Sequence, residues 1–228
     1  MALIAAKSSN ALFAGVTGVI LAGGKSSRMG SNKALLPYRG GRFIESIYRQ
    51  LSGLFDEVIV VTNTPDQYAF LGCRMVPDIY QDMGALAGLH AGLTNSSTPH
   101  IFAVACDMPY LNDSLIRTLV ARRHQGDVII PESDDGLEPL HAVYCRSCIS
   151  TMEAALEAGK RRLISFFPEI RATIIPGDTV RFVDPDLDSF RNINTPRDYY
   201  DLREGERMRI NGRHSDNKTA GFGTGRTR

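Results

Sequence analysis

The stretch "GVTGVILAGGKSSRMGSNKALL" runs from Gly15 to Leu36, and its first ten residues decide the fold. They are apolar, rich in β-branched side chains, and end in two glycines. Such a run reads as a buried strand that meets a loop. The loop is cationic: Lys25, Arg28 and Lys33 precede the first acid, Glu45. Gly23 and Gly24 carry no side chain, so their N–H groups can approach an anion closely. Arg28 offers a planar fork and Lys33 a point charge. Three cations on one short loop repel one another unless a polyanion joins them, so the loop points to phosphate. The competing reading, a solvated basic turn, is weakened because the loop directly follows a buried strand. The pattern is not a P-loop, since five residues rather than four separate Gly24 from Gly30 and a serine follows. It is not the G-x-G-x-x-G dinucleotide fingerprint either.

Outward from this strand the chain alternates. "GRFIESIYRQLSGLF" places Phe43, Ile44, Ile47, Leu51, Leu54 and Phe55 on one helical face. "EVIVVT" at 57–62 is a buried run of the parallel type. Thr64-Pro65 predicts an N-cap and a short helix. Strands are expected at 73–78, 100–107, 127–132 and 138–146, and helices at 84–96, 112–124 and 147–159. A basic helix is expected next, then "ATIIPG" and "VRFVD", and finally a helix opened by Thr195-Pro196 with Asp198 as capping-box partner. Apolar strands alternating with helices predict an α/β fold with a doubly wound, mostly parallel, Rossmann-like sheet. In such sheets ligands bind beyond the carboxyl ends of the strands. Gly23, Asp78 and Asp107 all fall there.

Asp107 closes the apolar run "HIFAVACD", where a lone carboxylate is costly unless paired or metal-bound. A hard ion such as Mg²⁺ takes carboxylate together with phosphate oxygen. Asp78, in "VPDIYQDMGALAGL", is a second strand-end carboxylate, open also to reading as a turn or cap acid. Gly84 and Gly88 follow it and allow a nucleoside close.

The 228 residues suggest one domain at 16–203, an N-terminal arm at 1–15 and a disordered basic tail at 204–228. From Arg203 onward there are seven Lys/Arg and three acids, a net of +4, while the whole chain carries only +1. That balance gives no electrostatic case for nucleic acid or an anionic membrane. No apolar run approaches the roughly 20 residues of a membrane span, and the broken apolar start predicts a cytoplasmic protein rather than a secreted one. Cys73, Cys106, Cys145 and Cys148 lack the second C-x-x-C of a zinc ribbon and read as reduced thiols.

Taken together, "LAGGKSSRMGSNKALL", "DMGALAGLHAGL", "CDMPYL" and "NINTP" resemble the blocks of the molybdenum cofactor guanylyltransferase family, over roughly residues 16–200. The second block departs from the family pattern, with Ala85 where proline is usual. The resemblance implies transfer of GMP from GTP to molybdenum-molybdopterin with release of pyrophosphate. It implies that Leu21, Ala22, Gly23 and Gly24 meet the nucleotide through backbone and that Arg28 and Lys33 steady its phosphates. Asn63, Asp78 and Gly84 would lie at the base or ribose, and Asp107 would hold Mg²⁺. Asn192 and Asn194 would complete the metal or acceptor side, with Pro139 and His141 on the pterin side. His141 reads more readily as a polar strand residue than as a general base. Molybdoenzyme apoproteins or cofactor-synthesis proteins are the expected protein partners. Three rivals stay open at this point: a cytidylyltransferase for the same cofactor, a nucleotidyltransferase acting on a sugar or isoprenoid phosphate, and a non-catalytic nucleotide-binding regulator.

Overall fold

In a computed structural model, residues 12–23 and 32–204 are described. The 1–11 portion of the expected arm and residues 205–228 of the expected tail lie outside them. The strands are β1 (Val16–Leu21), β2 (Pro37–Tyr38), β3 (Gly41–Arg42), β4 (Glu57–Val61), β5 (Arg74–Val76), β6 (His100–Ala105), β7 (Val128–Ser133), β8 (Gly136–Leu137), β9 (His141–Cys145) and β10 (Ala172–Ile175). The helices are α1 (Phe43–Leu54), α2 (Ala85–Asn95), α3 (Asp113–Ala121), α4 (Ile149–Glu157) and α5 (Gly177–Val183). A further helix covers 196–204.

The main sheet has the order β10-β7-β9-β6-β1-β4-β5, with β8 paired to β7. β1 is parallel to both β4 and β6, β4 to β5, and β7 to β10. β9 alone on this path runs antiparallel, between β6 and β7. All six residues of β1 and of β6 are buried, as expected of central parallel strands covered on both faces. Alternate side chains feed two cores. Val16 and Ile20 point into a core with α1 and α3, where Ile47, Leu51, Leu115 and Leu119 meet them. Val19 and Leu21 point the other way, into a core with α2 and α4 that holds Leu86, Leu89, Met152 and Leu156. This is the doubly wound arrangement expected from the alternation.

The local signals mostly act as their chemistry demands. Asn112 Oδ1 accepts from the N–H groups of Ser114 and Leu115 and so starts α3. Past α4, Gly159 has φ +75°, and Gly159 N–H bonds Leu156 O while Lys160 N–H bonds Ala155 O. That is a Schellman ending, with glycine in the left-handed position. At the last helix Asp198 Oδ2 accepts from Thr195 N–H at 2.7 Å, and Thr195 Oγ1 accepts from Asp198 N–H at 3.1 Å, a closed capping box.

Two expectations need correction. Thr64-Pro65 opens a short helix with proline in its first turn as expected, of 3₁₀ type over Pro65–Leu71, but Thr64 makes no side-chain cap. The basic segment after Gly159 forms turns, not a helix. "VRFV", given no element type from sequence, lies in α5. Its β-branched content suits a strand, but Val180 fills the first core and packing decides. Among the described residues no helix is long and apolar enough to cross a membrane.

Candidate functional site

The register brings three strand ends level. Leu21 pairs with Val61 on one side and Ala105 on the other. The residues just beyond are Ala22–Gly23, Thr62–Asn63 and Cys106–Asp107. β5 ends beside β4, which adds Asp78. The acids and glycines of the sequence motifs thus share one edge of the sheet, as the alternation predicts.

Bonds that extend the sheet fix the end of β1. Ala22 N–H donates to Val61 O at 2.9 Å, and Leu21 O accepts from Cys106 N–H at 3.1 Å. These two residues therefore act partly as frame. Gly23 is the point where backbone lies open: among the described residues nothing stands within 4 Å of where a β-carbon would be. Gly24 and Arg28 lie outside the described residues.

Asn32 Oδ1 caps the 3₁₀ turn Lys33–Leu35 by accepting from Ala34 N–H. Lys33 Nζ donates to Asn194 Oδ1 at 2.7 Å, across 161 positions of sequence. The charge of Lys33 also reaches Asp107. Asp107 is half-buried. Burial raises its carboxyl above the usual range, and Lys33 and its own backbone N–H pull it partly back. Its neighbour Cys106 is pushed up to about 12 by burial and by the charge of Asp107. The carbonyl of Asp107 accepts from Ile193 N–H at 3.0 Å. The "NINTP" segment therefore ties directly to both the lysine and the aspartate. Asn194 appears here as a tether for Lys33, and Asn192 is exposed on the same segment.

Asn63 and Asp78 form a reciprocal pair. Asn63 Nδ2 donates to Asp78 Oδ2 at 2.8 Å, and Asp78 N–H donates to Asn63 Oδ1 at 2.9 Å. Burial raises the Asp78 carboxyl, opposed by the Asn63 bond. A β-carbon on Gly88 would stand 3.5 Å from Asp78 Oδ1, so the start of α2 lies against this pair. Gly84 precedes α2 with φ +71° and ψ −156°, a conformation that glycine alone adopts readily. A β-carbon there would lie 3.7 Å from Arg161 O. Lys160, Arg161 and Arg162 are exposed beside this helix start. The sequence reading assigned them to a helix and attached no function to them; their signal was three consecutive cations.

The two residues expected on the pterin side differ in exposure. His141 is fully buried, edge-on to Phe102 and Phe190 with ring centroids 5.1 and 5.5 Å away. Neither ring nitrogen has a hydrogen-bond partner among the described residues. Burial pushes its imidazole down to about 3. It is neutral and sealed, with no surface to offer an acceptor. Pro139 is half-exposed, and its carbonyl accepts from Tyr144 Oη at 2.6 Å.

Asp107 meets the requirements of a magnesium ion held partly by substrate. It is a hard oxygen donor at a strand end, charged only at the cost of burial. Among the described residues no cluster of three His, Cys, Asp or Glu could hold a metal by itself. One carboxylate completed by phosphate oxygens is how Mg²⁺ is often bound.

Comparison with known proteins gives a consistent answer. The family profile "MobA-like NTP transferase domain" matches residues 18–172. The molybdenum cofactor guanylyltransferase of Desulfosudis oleivorans is 37% identical over 182 residues, which cover 79% of this chain and 90% of the relative. The probable molybdenum cofactor guanylyltransferase of Pelotomaculum thermopropionicum is 37% identical over 187 residues, 82% and 91% of the two chains. Among solved structures, molybdopterin-guanine dinucleotide biosynthesis protein A from Archaeoglobus fulgidus superposes with a TM-score of 0.73 at 27% identity, over 82% of this chain and 97% of that one.

Proposed function

Given that the chain belongs to the MobA-like NTP transferase family, as a nucleotidyltransferase similar to molybdenum cofactor guanylyltransferases, we propose that it transfers GMP from GTP to molybdenum-molybdopterin. The terminal phosphate of the acceptor attacks the α-phosphorus of GTP. A P–O bond forms there, the bond to the β-phosphate oxygen breaks, and pyrophosphate leaves with the electron pair. The nucleophile is a phosphate monoester, already ionised near neutral pH, so no general base is required. Catalysis is then a matter of placing two anions together and stabilising the charge that builds on the leaving group.

The observation that carries this reading is the linkage of Lys33, Asn194 and Asp107 at the level edge of the sheet. Lys33 neutralises phosphate charge, and Arg28, five residues earlier in the sequence, would add a second cation. Asp107 would hold Mg²⁺, which supplies charge neutralisation at the phosphates when bound. The Asn63–Asp78 pair lies at the base or ribose. A carboxylate there suits guanine, whose edge presents adjacent N–H donors. The exposed Lys160–Arg162 run beside Gly84 supplies positive potential for the acceptor phosphate.

Incubation with each nucleoside triphosphate in turn, Mg²⁺ and molybdenum-molybdopterin, followed by mass identification of the product, tests the reading. GTP should yield the guanine dinucleotide and pyrophosphate. Faster turnover of CTP, or turnover only with a sugar or isoprenoid phosphate, overturns it.

A further inference from the structure

The hydroxyl of Tyr68 stands between the two ends of the loop that leaves β1. Tyr68 lies on the 3₁₀ turn Pro65–Leu71 and is 2% exposed. Its hydroxyl accepts from Asn32 Nδ2 at 2.8 Å and makes a longer contact, as donor, to Ala22 O at 3.4 Å. Ala22 is the first residue past β1, and Asn32 is the residue before Lys33. Asn32 Nδ2 also donates to Gln67 Oε1 at 2.8 Å, while Asn32 Oδ1 accepts from Ala34 N–H. The amide is thus held at both ends, and with it the turn that carries Lys33. A phenol can accept and donate at once, which phenylalanine cannot. The ring itself is embedded in the core on the α1 side of the sheet. The turn supplies none of the four sequence blocks, so its reach to both ends of the loop has no other explanation in the site.

We propose that Tyr68 is a positioning residue for the phosphate grip: its hydroxyl sets the separation of Ala22 from Asn32 and thereby fixes where Lys33 stands relative to Asp107. The proposal rests on the reading of Lys33 as the phosphate-binding cation. Lys33 then has two anchors. Tyr68 governs the backbone at its base through Asn32, and Asn194 holds its ammonium tip. A displacement near 1 Å of such a group is enough to cost catalysis strongly.

The test is a double-mutant cycle in kcat and KM for GTP, with Mg²⁺ and molybdenum-molybdopterin. The enzymes are wild type, Tyr68→Phe, Lys33→Ala and the double variant, with thermal midpoints measured alongside. Tyr68→Phe should lower kcat/KM about tenfold in the wild-type background, mostly through kcat. In the K33A background the same change should cost less than about twofold, because a misplaced lysine cannot matter where there is none. Equal factors in both backgrounds, or full activity of Tyr68→Phe, overturn the proposal while leaving the role of Lys33 intact. Full activity of Lys33→Ala sinks the role of Lys33, and the proposal with it. Asn32→Ser guards against a core variant that does not fold. Serine keeps a capping oxygen for Ala34 N–H but cannot reach Tyr68, and the same non-additivity with Lys33→Ala is expected of it.

Discussion

Lys33 donates to the neutral oxygen of Asn194. A neutral acceptor steers an ammonium without cancelling its charge, which Lys33 can share between Asp107 and a phosphate. Lys33→Ala should therefore lower kcat by about 10²–10³, the cost of one lost charge-stabilising donor. Lys33→Arg should recover little of it, because a planar fork cannot replace a point charge at this spot. Steady-state kinetics with GTP decide both; a drop below tenfold for Lys33→Ala counts against the role. Asp107→Asn should lose activity by a similar factor and raise the Mg²⁺ concentration needed for half-maximal rate. An unchanged Mg²⁺ requirement removes the metal from Asp107. His141 makes a prediction of another kind. Its imidazole titrates near 6.5 when unfolded and at about 3 when folded. Between those values the unfolded chain binds the extra proton, so stability falls as pH falls from about 6.5, by up to about 1.4 kcal/mol per pH unit. His141→Leu should flatten that limb relative to wild type in denaturant melts between pH 7 and pH 4. Parallel limbs in the two proteins disprove a buried neutral histidine.

At the scale of elements, the site depends on how closely α2 lies on β1. A β-carbon at Gly92 would stand 2.6 Å from Val19 Cγ1 and 3.3 Å from Val61 Cγ2. Gly92 gains nothing from its own flexibility; it removes a side chain so that helix and sheet can touch. Gly92→Ala should cost about 1–3 kcal/mol by overpacking, despite the better helix propensity of alanine. Val19→Ala should recover part of that loss in the double variant, since the clash is with its methyl. Urea melts at unchanged slope measure both, and an additive pair excludes the contact as the cause. The strands at this contact were legible because Val19 and Val61 lie in runs that are apolar on both faces rather than alternating, as central parallel strands need. Asp107 was legible for the same reason, as a charge where the run ends. The Lys33–Asn194 bond was not, because 161 positions separate the partners and neither carries a local signal of the other. Tyr68 was hidden too: one tyrosine in "PDQYAFL" looks like any half-buried aromatic until its hydroxyl is seen between two loop ends. α5 was not legible because "VRFV" suits a strand by composition, and only packing against the first core makes it helical.

For the molecule as a whole, the site is assembled from parts that fold apart in sequence. Lys33 precedes α1, Asp78 follows β5, Asp107 follows β6, and Asn194 lies past β10. A ligand that bridges them ties together β1, β4, β5, β6 and the final helix, and it binds only when all are in place. Such a ligand stabilises the native state by RT ln(1 + [L]/Kd), about 2.7 kcal/mol at a hundredfold excess over Kd. For a domain of this size that corresponds to a rise in thermal midpoint of roughly 5–10 °C. GTP with Mg²⁺ should produce this shift. GTP with EDTA should produce clearly less, because Asp107 then faces the phosphates with charge unscreened, and like charges at close range repel. CTP with Mg²⁺ should also fall short, because the phosphate grip is common to both nucleotides but cytosine lacks the paired donors that suit Asp78. The three melts separate the parts of the site without any acceptor. Equal shifts for GTP with and without Mg²⁺ remove the metal from nucleotide binding. Equal shifts for GTP and CTP at matched concentration remove Asn63 and Asp78 from base selection, and leave the choice of nucleotide to the catalytic step.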